Sequence, residues 1–339
     1  MKQTSGVKCG KSVILVTGAA GFIGRALCME LSGGSRLVRA VMRSVEHLHP
    51  GATVVSVGEV GSTTEWGNAL FEVDTVIHLA GLAHAPLKLQ QYNKSIYMEV
   101  NALGAARIAK QAAAKGVRRF VYLSTAKVCG DITHNRPFDE TDVSDSKDAY
   151  TASKREAEKL LWDIAGETSM EVVIIRPPLV YGPGVKANFQ NMMLWLCRGF
   201  PLPLGSIHNR RSLVALDNLV DFICVCLDHP MAANQTFLVS DGEDITTTEL
   251  LQRMAHALHV PARLVPVPQG LLKGVARVMG REDLSQRLCS SLQLDISKAR
   301  TLLGWRPPVT MEAVLHRTAE YFLNNAQSPG EDYRRVVGR

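Results

Sequence analysis

This chain lacks a long apolar run, a disulfide pattern, a strong charge of either sign and any internal repeat. Ahead of Val13 the sequence is polar and lysine-bearing, and the apolar stretch that follows is broken by glycines within six residues. Neither a secretory leader nor a membrane span is expected from such a pattern, so the reading is a soluble, cytoplasmic chain without membrane insertion. The seven cysteines, at positions 9, 28, 129, 197, 224, 226 and 289, are odd in number and scattered, which points to reduced thiols. Cys224 and Cys226 are the only close pair, and a one-residue gap on a helix aims them at different faces, so no metal site is expected. The net charge of +6, from 38 basic and 32 acidic residues, is mild and interspersed. That balance does not indicate nucleic acid as a partner, and it suits an anionic small substrate equally well.

What the chain does have is length and core. With 339 residues, 46% of them hydrophobic, it holds one large or two unequal domains of a globular enzyme. Its organising stretch is Val13 to Gly24. Val13, Ile14, Leu15 and Val16 read as a central parallel strand covered on both faces. Gly18, Gly21 and Gly24 follow at three-residue spacing. They allow a tight turn, close approach of the backbone to a pyrophosphate, and close packing of a helix over Phe22 to Leu31 that includes Ile23. A glycine triplet alone is a weak signal, but here a strand precedes it and a helix follows it, as the motif requires.

Further strands are expected at Leu37–Met42, Thr53–Val57, Thr75–Leu79 and Phe120–Ser124. Between them lie a short helix near Trp66–Phe71 and a long alanine-rich helix from about Tyr92 to Lys115 that carries Asn101. Alternation of this kind means a doubly wound parallel sheet. After the second strand stands Arg43, where dinucleotide folds often place an acidic residue. An acid there binds the ribose 2′-hydroxyl of NAD, an arginine suits the 2′-phosphate of NADP, and a solvated surface arginine is the plain alternative. The fourth strand ends in His78-Leu79-Ala80-Gly81, whose small residues let a cofactor cross the strand end. His78 reads as a packed strand residue, whereas His84 is a candidate for the substrate mouth.

Past an irregular polar segment, Gly130 to Asp148, Tyr150-Thr-Ala-Ser-Lys154 opens a helix with an apolar face of Ala157, Leu160, Leu161 and Ile164. Tyr150 and Lys154, four apart, share one side of it. An ammonium near a phenol favours the phenolate and makes it a usable general acid or base. A strand at Val172–Ile175 leads into the proline- and glycine-rich run Arg176 to Gly184, where a second domain begins. Thr236 to Val239 reads as a strand returning to the sheet. The expected division is 12–177 plus 236–248 for a Rossmann-type dinucleotide domain, 178–235 plus 249–325 for a smaller, discontinuous α/β substrate domain, and 326–339 as a disordered tail.

In this order the pieces resemble the extended short-chain dehydrogenase/reductase family, the nucleotide-sugar epimerases, dehydratases and reductases. The resemblance rests on Thr17-Gly18-x-x-Gly21-Phe22-x-Gly24, His78-Leu79-Ala80, Phe120-Val-Tyr-Leu-Ser124-Thr125, Tyr150-x-x-x-Lys154, Arg176-Pro177-x-x-Val180-Tyr181-Gly182-Pro183 and Leu303-Gly304-Trp305-x-Pro307. It implies NAD(H) or NADP(H) as cofactor, a UDP-sugar as substrate, and allows a homodimer. It also implies a catalytic triad of Thr125, Tyr150 and Lys154. Cofactor contacts would fall on the glycine turn, Leu79, Ala80, Gly81, Tyr150, Lys154 and Pro177. Substrate contacts would fall on Thr125, Lys127 and Asn188, with Arg210, or Arg211 in its place, gripping the pyrophosphate.

Two departures narrow the implied activity. Dehydratases of this family need an Asp-Glu pair after the catalytic Thr, and here those positions are Ala126 and Lys127. The Ser-Thr-Ala-Lys-Val run, the Arg176 to Phe189 segment and Asn209-Arg-Arg-Ser-Leu213 resemble the bacterial O-antigen branch. That branch includes reductases of UDP-4-keto-6-deoxy-N-acetylhexosamines, the reading preferred here, with UDP-hexose 4-epimerase as the alternative. A catalytically silent dinucleotide sensor is a third reading, and the intact Thr125, Tyr150 and Lys154 argue against it.

Overall fold

The computed structural model describes residues 12–34, 36–42, 51–83, 93–146, 148–278, 280, 286 and 288–325. The chain divides into two compact units: Met1–Leu123 with Asp148–Ile174 and Cys226–Gln235, and Ser124–Lys147 with Ile175–Val225 and Thr236–Arg339. The segment expected to be a disordered tail, 326–339, lies outside the described residues.

A seven-stranded sheet carries the expected doubly wound order. Its strands are β1 (Val13–Thr17), β2 (Leu37–Met42), β3 (Ala52–Ser56), β4 (Val73–His78), β5 (Arg119–Leu123), β6 (Glu171–Arg176) and a later strand, Gln235–Leu238, in the order β3-β2-β1-β4-β5-β6 and then that strand. β1 pairs in parallel with both β2 and β4, and β4 with β5, so the reversal of strand order beside β1 opens the crevice where such folds bind dinucleotides. Ile14, Leu15 and Val16 are at most 1% exposed. Residues that lose water on both faces of a sheet must all be apolar, which is why the strand reads as an unbroken run rather than an alternation.

Helices α1 (Phe22–Ser32), α2 (Asn93–Tyr97), α3 (Gly104–Ala114) and α4 (Ala149–Glu167) belong to the first unit. Ala105, Ile108, Ala109, Ala112, Ala157, Leu161 and Ile164 join Leu15, Val76 and Phe120 in one core cluster. Asp148 starts α4 by accepting from both the backbone N–H (3.0 Å) and the hydroxyl (2.7 Å) of Thr151.

Two expected helices differ. The alanine-rich helix is not continuous, because Met98–Leu103 between α2 and α3 forms a turn of π-helix. Asn101 sits in that turn, and its amide donates to Leu82 O and Ser153 Oγ (both 3.0 Å) while its carbonyl accepts from Leu82 N at 2.7 Å. Those three bonds hold the extra residue that a regular helix would exclude. Trp66–Phe71 is a series of turns rather than a helix. Its backbone finds partners elsewhere: Trp66 N donates to Gln111 Oε1 at 2.8 Å, and Arg39 Nη1 donates to the carbonyls of Ala69 and Phe71.

In the second unit β7 (Leu179–Tyr181) pairs in parallel with β8 (Arg211–Ala215), and β8 pairs antiparallel with β10 (Asp244–Ile245), β9 being the Gln235–Leu238 strand of the large sheet. Asp241 accepts from Tyr181 Oη at 2.8 Å, Asn218 Nδ2 at 2.7 Å and Ala215 N at 2.8 Å. Trp305 donates to Asp221 at 2.7 Å and meets Phe222 edge-on, directly after Gly304 ends a helix in the left-handed conformation.

Arg119 begins β5 at 2% exposure and donates to Glu171 and to the carbonyls of Cys226, Leu227 and His229. Replacing it by Met leaves those acceptors without their cation. Arg119→Met should destabilise the chain by about 3 kcal/mol in urea unfolding, and a loss under about 0.5 kcal/mol would show that the buried guanidinium is not a fixed point of the sheet.

Candidate functional site

The glycine turn after β1 leaves no room for side chains. Gly18 has φ of +68°, and a Cβ there would lie 2.8 Å from Ala80 N; a Cβ on Gly24 would lie 2.2 Å from Gly18 O. The turn therefore lies directly against the strand end formed by Leu79, Ala80 and Gly81. Thr17 ties the two together, its hydroxyl accepting from Ala80 N at 3.1 Å and meeting His78 Nδ1 at 2.9 Å.

Gly21 caps α1 without a side-chain hydrogen bond, and the first intrahelical bond runs from Arg25 N to Gly21 O. The N–H groups of Phe22, Ile23 and Gly24 are thus free of intrahelical partners at the positive end of a helix, the arrangement that binds a pyrophosphate. The cradle that any Cβ would fill and the bare helix end together fit a dinucleotide.

Lys154 is 5% exposed and donates to Leu123 O at 2.9 Å, with Nζ 4.6 Å from the centre of the Tyr122 ring. A Cβ built on Gly81 would stand 3.3 Å from that Nζ, so the ammonium lies beside the carboxyl end of β4. Burial pulls the Lys154 pKa down to about 8, opposed by the Glu158 carboxylate. His78 is fully buried, and desolvation with the Lys154 charge holds its pKa down at about 3. It is a neutral, packed ring, as its strand position implies.

Tyr150 stands one turn before Lys154 on α4, half-buried, with its ring edge-on to Tyr97 at 6.1 Å. Ser153 Oγ donates to Tyr150 O at 2.7 Å and accepts from Asn101. The first unit thus brings together Gly18, Gly21, Gly24, Ala80, Gly81, Tyr150 and Lys154. Arg43 and His84 lie outside the described residues.

The remaining candidates belong to the second unit. Thr125 is half-buried and accepts from Lys127 N at 3.3 Å, capping a short 3₁₀ turn over Ala126–Val128. Ala126 N donates to Pro177 O at 2.8 Å, which fixes that turn against the buried Pro177. Lys127 is half-exposed, 3.5 Å from Asp131. Asn188 is exposed in the first turn of α5 (Ala187–Cys197). Arg210 is exposed, whereas Arg211, the next residue and the first of β8, sends Nη1 to Ser290 O at 3.2 Å, and burial lowers its pKa.

Asn101, Ser153 and Thr17 were not singled out by sequence as site residues. Their signal was an Asn inside an alanine-rich helix and hydroxyls flanking the glycine turn and Lys154, none of which is distinctive without knowing its partners.

Residues 14–240 match the model of the NAD dependent epimerase/dehydratase family. A UDP-glucose 4-epimerase of Vibrio cholerae is 43% identical over 91% of this chain and 95% of its own length. An N-acetyl-alpha-D-glucosaminyl-diphospho-ditrans,octacis-undecaprenol 4-epimerase of Escherichia coli O157:H7 is 26% identical over 91% and 94%. Among solved structures, the UDP-glucose 4-epimerase of Thermotoga maritima with UDP-glucose superposes at a TM-score of 0.75, with 23% identity, over 93% of this chain and all of that one. At that identity the likeness speaks for the fold alone.

The Lys154 pKa makes a testable demand. Its folded value of about 8 lies below the ordinary 10.5, so between those pH values the unfolded chain binds the proton that the folded chain has released. Stability due to this group therefore rises with pH across the window, and below it the desolvation cost is fully present. The unfolding free energy of the wild type relative to Lys154→Met should climb by about 3 kcal/mol from pH 8 to 10.5. A difference that stays flat would mean the ammonium is solvated.

Proposed function

This chain belongs to the NAD dependent epimerase/dehydratase family, and we propose that within it the protein is an NAD(P)H-dependent reductase. Its substrate would be the C4 keto group of a UDP-4-keto-6-deoxy-N-acetylhexosamine, in the cytoplasm, for bacterial surface polysaccharide such as O-antigen. The observations that support this are a Tyr150–Lys154 pair with its ammonium buried in the first unit and, in the second, a Thr125 turn that carries Ala126 and Lys127 where elimination of water would need two acids.

The glycine turn and the first N–H groups of α1 would hold the cofactor's pyrophosphate, with Leu79, Ala80, Gly81 and Pro177 along its path. When bound, the nicotinamide supplies the hydride. Tyr150 delivers its proton to the C4 oxygen as charge develops there, and Thr125 donates a hydrogen bond to the same oxygen. Lys154, cationic below its pKa of about 8, stabilises the phenolate left on Tyr150 and holds the nicotinamide ribose. Arg210, exposed while Arg211 is engaged by Ser290 O, would take the sugar nucleotide's diphosphate, with Asn188, Lys127 and His84 as further substrate contacts. Arg43, in place of an acid after β2, favours a 2′-phosphate cofactor, which suits net reduction and release at each turnover.

The 43% identical relative favours a second reading, C4 epimerisation of a UDP-hexose with NAD retained. The two differ in stoichiometry. A reductase consumes one reduced cofactor per 4-keto sugar. Interconversion of UDP-glucose and UDP-galactose with no net cofactor consumption would overturn the reductase in favour of the epimerase.

Either reading needs the Tyr150 proton. Tyr150→Phe should lower kcat by about a hundred to ten thousandfold while the cofactor Kd changes less than about threefold. Turnover near wild type would remove Tyr150 from the chemistry.

A further inference from the structure

The Lys154 ammonium has a buried counterpart on its own helix. One turn further along α4, Glu158 is 4% exposed against 5% for Lys154, so a carboxylate and an ammonium are both withheld from water on adjacent turns. Residues four apart share a side of a helix, which sets Tyr150, Lys154 and Glu158 along one line. Helix stability does not account for the pair, because a lysine four residues before a glutamate is the weaker of the two orders. Burial does not account for it either, since a carboxylate taken out of water costs free energy that an apolar side chain of the same size would not. Tyr122, over whose ring Nζ stands at 4.6 Å, is kept protonated by burial first and then by the charges of Glu158 and Tyr150. Desolvation drives the proton off Lys154, and the charge that opposes this is the Glu158 carboxylate.

Other ionisable groups around α4 do not substitute for it. From β4 comes His78, held neutral by burial and by Lys154 itself, and from β5 the protonated Tyr122. On α2, the π turn and α3, which pack against α4, Lys94 and Lys110 are exposed, Glu99 accepts from Ser62 N and Oγ at 2.7 Å, and Arg107 pairs with Glu65. Tyr97 lies edge-on to Tyr150. On α4 itself Arg155, Glu156 and Lys159 stand off the line that joins residues 150, 154 and 158. We propose that Glu158 is a positioning residue for the reaction: its buried carboxylate keeps the Lys154 ammonium charged where Tyr150 gives up its proton, and so sets how far into the alkaline range the enzyme works. The proposal rests on the Tyr150–Lys154 chemistry above. Without Glu158 the ammonium becomes neutral at lower pH, and the phenolate left on Tyr150 after proton transfer loses its counter-charge.

The test replaces the carboxylate by its neutral isostere and reads two quantities in the full chain. With lysines isotopically labelled at Cε, the NMR resonance missing from Lys154→Met reports the Lys154 titration without any substrate. In Glu158→Gln its midpoint should fall at least about one pH unit below that of the wild type. The alkaline limb of the kcat profile, measured with reduced cofactor and a UDP-4-keto sugar, should move with it. In that case kcat drops about fivefold near pH 8 and less than about twofold near pH 6, where the ammonium keeps its proton in both proteins. Glu158→Asp retains the charge and should return both midpoints to within about half a unit of the wild type, although it fits the site less well. If Glu158→Gln melts below the assay temperature, Glu158→Met fills the same space without a charge and should show both shifts. A Lys154 midpoint in the neutral variants within about 0.3 units of the wild type would overturn the proposal. A midpoint that moves while the limb stays would overturn it as well, and so would a kcat lowered by the same factor at every pH, which is the mark of a packing role. Failure of the reductase reading is distinguishable, because a chain that interconverts UDP-glucose and UDP-galactose gives its limb on that reaction, and the Lys154 midpoint needs no substrate.

Discussion

An ammonium kept out of water is the constraint on which the first unit depends. Lys154 has one backbone carbonyl, Leu123 O, and the face of Tyr122 in place of a hydration shell, and neither repays full desolvation of a charge. Its neighbours adapt to that cost. Gly81 leaves the space a side chain would take, Glu158 opposes the loss of the proton from the next turn of α4, and His78 stays neutral in the core beneath. Such a residue reduces stability; in the proposed reading its charge acts on the phenol one turn away, so that function and stability pull in opposite directions at this position.

Asn101 is the fixed point that makes this geometry reproducible. Through the π turn it grips Leu82, in the loop that follows the β4 strand end, and Ser153, which in turn holds the Tyr150 backbone. One side chain thus links the loop after β4 to the helix that carries Tyr150. In the second unit the corresponding fixed point is Asp241. Burial raises its pKa while Ala215 N, Asn218 and Tyr181 each donate to it, so β7, β8 and the helix that follows are held by one carboxylate. Arg210 and Arg211 stand at the entrance to β8, and the alternation of a strand sends neighbouring side chains to opposite sides. That alternation separates an exposed guanidinium from one bound to Ser290 O, a distinction the pair of letters does not contain.

The features legible in the chain are those whose cause is local. A strand covered on both faces must be apolar throughout, so Val13 to Val16 announced itself. A turn that nearly touches Ala80 must be glycine, so Gly18 and Gly24 did as well. Tyr150 and Lys154 share a side of a helix by spacing alone, and the order of strands and helices then implied the doubly wound sheet. What only the tertiary structure decided depends on partners far along the chain. The π turn exists because Asn101 meets residues 19 and 52 positions away, and the Trp66–Phe71 segment gives up its helix because Gln111 and Arg39 take its backbone groups. The low pKa of Lys154 comes from burial that no neighbouring letter records. The helix Gln269–Val278 is an ordinary amphipathic pattern in the sequence, and only the fold leaves Leu271, Val275 and Val278 exposed. Periodicity states which face of an element is apolar; what comes to lie against that face is settled by the packing of the whole chain.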